Sequence, residues 1–228
     1  MDSGFQSRRV VAIDGPAASG KSTVAHEVAR KLGFAYVNSG AMYRAATWWV
    51  LESGVDLQDE AAIARLVEST PIECDLQGLE SRICMNGIDP SSHLRDSNVN
   101  EGVSLVSSVS RVREVLVEKM RAYNVDNDVV MEGRDIGSVV FPHTPYKFYI
   151  DASPDIRSRR RSAQGQTDRI AARDRADSSR RASPLKIAPD AYVIDSSHVP
   201  IDAVVAEILE QLKAKGLDAA RRLPAPVQ

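Results

Sequence analysis

The octapeptide Gly15-Pro16-Ala17-Ala18-Ser19-Gly20-Lys21-Ser22 has the spacing G-x-x-x-x-G-K-[ST], and Thr23 follows it. Each residue type has a chemical reason. Small residues let successive backbone N–H groups turn inward and cradle a β-phosphate. A helix that starts near Lys21 adds the positive end of its dipole. The Lys21 ammonium can bridge β- and γ-phosphates, and the Ser22 hydroxyl can ligate Mg2+. The motif leaves an apolar run, RVVAID (9–14), and enters a helical pattern, KSTVAHEVARKLG. That context distinguishes a P-loop from a chance glycine-containing loop, and the segment is read as the site of a bound nucleoside triphosphate.

A triphosphate held this way can run a switch, drive a motor, or give its terminal phosphate to a small acceptor. A guanine switch needs a base-reading motif of the NKxD kind, and Asp195-Ser196-Ser197 is not one. A motor is larger and carries an apolar run ending in paired acids. This chain offers an inserted middle segment and a stretch dense in arginine between Arg157 and Arg181, parts that suit an acceptor pocket and a lid.

The segments AIDGPAASGKST, NSGAMYRA, SRVREVL, EGRDIGSVVFP, YKFYIDAS and RDRADSSRRASPL resemble bacterial cytidylate kinases, in that order, over nearly all of residues 9–216. SGAMYR and EGRDIGSVVFP carry the resemblance, since the P-loop alone is shared far more widely. It implies an α/β fold, a three-layer P-loop core with a mostly parallel sheet, a small NMP-binding insertion and a short helical lid. It implies transfer of the γ-phosphate of ATP to CMP and dCMP, with Mg2+ bound through Ser22. On this resemblance Arg44, with Ser39 nearby, Arg134 and Arg180 hold the acceptor phosphate. Ser104, Arg113 and Asp135 contact the cytosine, and Arg173 and Asp177 the ribose. Lys21, Arg134, Asp135 and Arg180 form the catalytic set. Glu132 stands where some members have aspartate, so the acid is retained, and the stretch RRRSAQGQTDRIAARD is shorter than its counterpart.

The residue types fit that chemistry independently. Cytosine presents an amino donor at N4 beside acceptors at N3 and O2, so a carboxylate can accept from one edge and a guanidinium donate to the other. Uracil reverses part of that pattern, and a polar pocket rejects it because its own groups are left unpaired. Plainer readings stay open. Arg44 and Arg134 can be surface ion-pair residues. Asp135 can be a structural acid that holds an arginine. The arginines at 157–161 can form a solvated helix face or a nucleic-acid patch, although no aromatic residues interleave with them as a single-strand platform needs.

Strands alternating with helices must position these residues. Strands are expected at 9–14, 34–38, 128–135, 146–152 and 191–195. Helices are expected at 21–33, at 39–54 with Ser39 as cap and Gly54 as stop, at 154–181, and at 200–216 between Pro200 and Gly216. Between them lie a small helix at 59–69, two strands around Gly78, and one or two helices over 97–124. The core is therefore assigned to 9–56 and 125–216, with the lid within 155–180. The insertion is 57–100, the connecting helices are 101–124, and 1–8 and 217–228 are flexible termini.

The rest of the composition is ordinary for a soluble α/β chain of 228 residues with a formal net charge of −2, which exerts no general pull on nucleic acid or anionic membrane. There is no apolar signal segment in MDSGFQSRR and no run long enough to span a bilayer. A cytoplasmic monomer with reduced Cys74 and Cys84 is expected, its partners the small molecules ATP and CMP or dCMP. A Cys74–Cys84 disulfide would require the two to face each other on paired strands.

Overall fold

β1 (Val10–Asp14) is buried along its whole length, as a strand covered on both faces requires of the run that forms it. In this computed structural model, which describes residues 8–163 and 185–217, β1 lies between β5 (Val129–Gly133) and β6 (Tyr146–Asp151), parallel to both. β2 (Ala35–Asn38) continues the sheet beyond β5, and β7 (Tyr192–Asp195) beyond β6. The hairpin of β3 (Ile72–Gln77) and β4 (Glu80–Met85) completes a seven-stranded sheet of order β3-β4-β2-β5-β1-β6-β7. Among the described residues, only β3 runs antiparallel to its neighbour in the sheet.

Side chains alternate along these strands, so the sheet has two cores. Val10, Ala12, Val129 and Met131 pack on one face against α2 (Ser39–Glu52), α3 (Glu60–Ser69), α4 (Ser97–Val106) and α5 (Ser110–Asp126). Val11, Ile13, Val130, Phe148 and Ile150 pack on the other against α1 (Lys21–Leu32) and α7 (Ile201–Ala214). α6 (Pro154–Ala163) follows β6. The 57–100 segment contributes α3 and the β3–β4 hairpin, which extends the core sheet through the pair Tyr36 and Glu80.

Two local expectations change. α2 is capped by Asn38, whose side chain accepts from the Ala41 N–H, and Ser39 is the first helical residue. Asn is as good a cap as Ser, and the exchange releases the Ser39 hydroxyl for another bond described below. α2 ends at Glu52 with Ser53 as its cap, and Gly54 is its stop as expected, at φ 66° with its N–H donating to Leu51 O at 3.0 Å. Leu217, assigned above to a flexible terminus, is buried among the residues of the second core. Its N–H donates to Leu212 O and that of Gly216 to Lys213 O, both at 2.9 Å, the Schellman pattern in which the residue after the glycine packs back on the helix.

The cysteines are free. Cys74 lies opposite Ile83, and Cys84 opposite Glu73, so the two thiols leave opposite faces of the hairpin and cannot bridge. Burial pushes the Cys74 thiol up to about 11, which keeps it protonated and unreactive at neutral pH. Among the described residues, no helix is long and apolar enough to cross a membrane.

Candidate active site

The C-terminal ends of β1, β2 and β5 open onto one cleft, where a parallel α/β sheet places its ligands. One wall is the P-loop, through Ala17, Ala18, Gly20, Lys21, Ser22 and Thr23. The opposite wall is the start of α2, with Ser39, Tyr43 and Arg44. Its floor is Glu132 to Asp135 at the end of β5, and Ser104 of α4 and Arg161 of α6 complete the rim.

The loop's backbone departs from ordinary conformations where the cradle requires it. Gly15 has φ 155° and Gly20 φ 91°, while Ala18 takes φ 59°. A Cβ on Gly15 would lie 2.1 Å from Ile150 O, so only glycine lets the loop leave β1 against β6. N–H groups turned inward leave carbonyls turned outward, and these need donors. Lys21 Nζ donates to Pro16 O at 3.1 Å. Arg157 Nη1 donates to Ala17 O at 3.3 Å, and Arg160 Nη1 to Ser19 O at 3.3 Å. The Ser196 hydroxyl also donates to Ser19 O, at 2.7 Å, while Arg160 Nη2 holds Ser196 O at 2.7 Å. Thus two of the arginines read as lid residues brace the P-loop from behind, and the Asp195-Ser196-Ser197 segment helps them. Arg161 is the one of Arg157, Arg160 and Arg161 that lines the cleft. Arg160→Ala is expected to weaken ATP binding by about 3- to 30-fold, the loss of bonds from a charged donor, while leaving the acceptor KM within about twofold; equal effects on both nucleotides, measured by calorimetry and kinetics, would contradict a bracing role.

Lys21 is buried, and its ammonium lies 3.9 Å from Glu132 Oε2. Tyr36 O–H donates to Glu132 Oε1 at 3.2 Å, and burial raises the Tyr36 phenol, reinforced by the Glu132 charge. The Ser39 hydroxyl freed by the Asn38 cap donates to Glu132 O at 2.7 Å. A Cβ on Gly133 would meet Ser39 Oγ at 2.5 Å, so glycine is what lets α2 approach β5 so closely. Arg44 Nη1 donates to Gly40 O at 3.0 Å, which holds the guanidinium over the first turn of α2.

Arg113 and Asp135 form a buried ion pair, Nη2 to Oδ2. Arg113 Nη1 also donates to Ser107 O at 3.1 Å, its guanidinium lies 5.1 Å from the centre of the Tyr43 ring, and its Nε has no hydrogen-bond partner. Asp135 lines the cleft and Arg113 stands behind it. Of the acceptor residues named from sequence, Ser39, Arg44, Ser104, Arg134 and Asp135 therefore reach the same cleft as the P-loop, and Arg113 joins them through Asp135. Arg173, Asp177 and Arg180 lie outside the described residues, as does Arg169 of the expected lid.

Sequence reasoning passed over Asp14. It ends β1 immediately before the P-loop and is buried. Oδ1 accepts from the Ile136 N–H and Oδ2 from the Gly137 N–H, both at 2.8 Å. Burial pushes its carboxyl up to about 7, aided by the Asp135 charge and opposed by those two N–H bonds and by Lys21. The available signal was an acid closing an otherwise apolar strand, a position where an unpaired charge is costly.

Residues 11–214 match the cytidylate kinase family. The cytidylate kinase of Pelotomaculum thermopropionicum is 43% identical over 217 residues, covering 90% of this chain and 96% of that protein. That of Geobacillus kaustophilus is 41% identical over 215 residues, covering 89% and 96%. That of Limosilactobacillus reuteri is 39% identical over 215 residues, covering 89% and 94%.

Proposed function

Because the chain belongs to the cytidylate kinase family, we propose that it transfers the γ-phosphate of ATP to CMP, and also to dCMP, giving ADP and the nucleoside diphosphate. The observation that carries this reading is that one cleft is lined both by the P-loop and by Ser39, Arg44, Ser104, Arg134 and Asp135. A triphosphate in the cradle and a monophosphate against those residues face each other across it.

The acceptor phosphate is already ionised at neutral pH, so no strong general base is required. Catalysis is alignment of the two phosphates and neutralisation of charge on the transferring group. Lys21, fixed between Pro16 O and Glu132, supplies a positioned cation on the donor side. Arg44 and Arg134 hold the acceptor phosphate, for which a guanidinium fork is well suited. Arg161 of α6, which lines the cleft, would help neutralise charge on the transferring group. Asp135 and Ser104 read the base. Arg173 and Asp177 at the ribose and Arg180 at the phosphate extend the same reading.

The donor oxygens also fit Mg2+. Ser22 lines the cleft next to Lys21, and the Glu132 carboxylate lies on its floor. Among the described residues, no group of three or more His, Cys, Asp or Glu side chains is placed to hold a metal by itself. That suits an ion which keeps its waters and arrives with the triphosphate. When bound, Mg2+ neutralises charge on the β- and γ-phosphates, and Ser22 is the residue that would hold it.

A panel of CMP, dCMP, UMP and AMP with ATP in a coupled assay tests the proposal. CMP and dCMP should be used well and AMP poorly. Preference for UMP or AMP would move the chain to another acceptor, and ATP binding with no acceptor turned over would indicate a regulatory nucleotide-binding protein. Arg44→Ala and Arg134→Ala should each lower kcat/KM for CMP by about 10- to 100-fold, the loss of a charge-assisted hydrogen bond. ATP affinity measured alone should change by less than about threefold. Loss of ATP affinity with CMP affinity kept would place that arginine on the donor side.

A further inference from the structure

Asp135 occupies the N-cap position of the π-helical turn Ile136–Val140, and its side chain makes no cap hydrogen bond. An aspartate at an N-cap ordinarily turns back to accept from the second or third N–H of its own helix. Here the first two N–H groups of the turn, Ile136 and Gly137, are both taken by Asp14 from the neighbouring strand, at 2.8 Å each. The Asp135 carboxylate is directed instead to Arg113 and the cleft. The turn lies against both β6 and β1: a Cβ on Gly137 would lie 3.1 Å from Lys147 Cγ of β6 and 3.4 Å from Asp14 Oδ2 at the end of β1.

We propose that Asp14 is a positioning residue for the acceptor: by capping the 136–140 turn from the adjacent strand, it frees Asp135 to face the base and fixes the acceptor loop against the donor cradle. The inference rests on the acceptor reading above. Asp14 is suited to both tasks by its place in the chain. Its peptide bond leads directly into Gly15 and the P-loop, and its carboxylate bonds the loop that carries Arg134 and Asp135. One buried side chain thus ties the donor half of the cleft to the acceptor half. A carboxyl group presents an acceptor oxygen to each of the two N–H groups, whereas an amide in the same place presents a donor to one of them.

Asp14→Asn tests the idea. With the two halves no longer tied, the turn should release toward capping by Asp135 itself. Kinetics should show kcat/KM for CMP lower by at least about tenfold, the usual effect of leaving a buried donor unsatisfied. Most of that should appear as a raised KM for CMP, with the ATP dissociation constant within about threefold. The ratio of CMP to UMP use should fall by about threefold or more, a change that general destabilisation would not cause. A folded variant whose CMP to UMP ratio and CMP KM match the parent would overturn the proposal. If Asp14→Asn does not fold, Asp14→Ser, which buries no large opposed donor, takes its place with the same readouts. Hydrogen exchange in the parent supplies an arm that needs no variant and no acceptor. The Ile136 and Gly137 amides should exchange as slowly as those of β1 and β5, and exchange at exposed-loop rates would overturn the cap. A parent that ignores CMP but protects both amides would sink the cytidylate reading and leave the cap standing.

Discussion

Lys21→Ala should lower kcat by about 10³-fold or more, the scale at which positioned cations act on a transferring phosphoryl group. The ammonium lies within the P-loop cradle, held by Pro16 O and facing Glu132 at 3.9 Å. A lysine that acted on the phosphates alone would leave the fold untouched when removed. The structure adds a cost, because the variant leaves the buried Glu132 carboxylate without its cation. Tyr36 O–H still donates to it, so the penalty should stay near about 1–3 kcal/mol, or roughly 2–10 °C in Tm for a chain of this size. The double variant Lys21→Met with Glu132→Gln separates the two effects. It should recover much of the lost Tm and none of the lost turnover. Turnover within a few-fold of the parent in Lys21→Ala would remove this lysine from the phosphate site.

How far the site was legible in the sequence depends on whether a residue's role is local. The P-loop is local: its glycines, Lys21 and Ser22 work through one strand, one loop and one helix that are contiguous in the chain, so spacing alone reveals the cradle. The strands and most helices were legible for the same reason, since alternation and helical period are properties of short windows. Roles made by the sheet order were not. Asp14 acts on residues 122 and 123 positions away, and only the pairing of β1 with β5 brings them together. Arg157 and Arg160 read as lid residues because an arginine-rich helix after the last central strand suggests one. Their partners are P-loop carbonyls about 140 residues earlier, which exist as unsatisfied acceptors only once the loop has turned its N–H groups inward. The cap of α2 shows the same limit on a small scale. Asn38 and Ser39 are adjacent and both cap well, and the choice was made by Glu132 O, which takes the Ser39 hydroxyl from a strand 93 positions away.

Asp135→Asn should both destabilise the enzyme and narrow its preference for CMP over UMP. The two readings of this residue, base contact and arginine holder, are compatible because a carboxylate has two oxygens. Oδ2 accepts from Arg113 in a buried pair, and the residue also lines the cleft, where the cytosine N4 amine would donate to it. In the parent, uracil would bring its O4 carbonyl to that carboxylate, two acceptors opposed in a buried site. The cost is about 1–3 kcal/mol, so CMP should exceed UMP by at least about tenfold in kcat/KM. An amide can turn its donor toward O4, so the variant should lose CMP use and keep or gain UMP use. It also leaves the Arg113 guanidinium, whose Nε already lacks a partner, facing a neutral group. Removing a buried partner outright costs about 3–5 kcal/mol; the retained amide oxygen should limit the loss to less than that. The measurements are Tm and kcat/KM for both acceptors in parent and variant. A lowered Tm with an unchanged CMP to UMP ratio would leave Asp135 as an arginine holder alone, and an unchanged Tm with a narrowed ratio would mean that Arg113 draws its stability from Ser107 O and the Tyr43 ring instead.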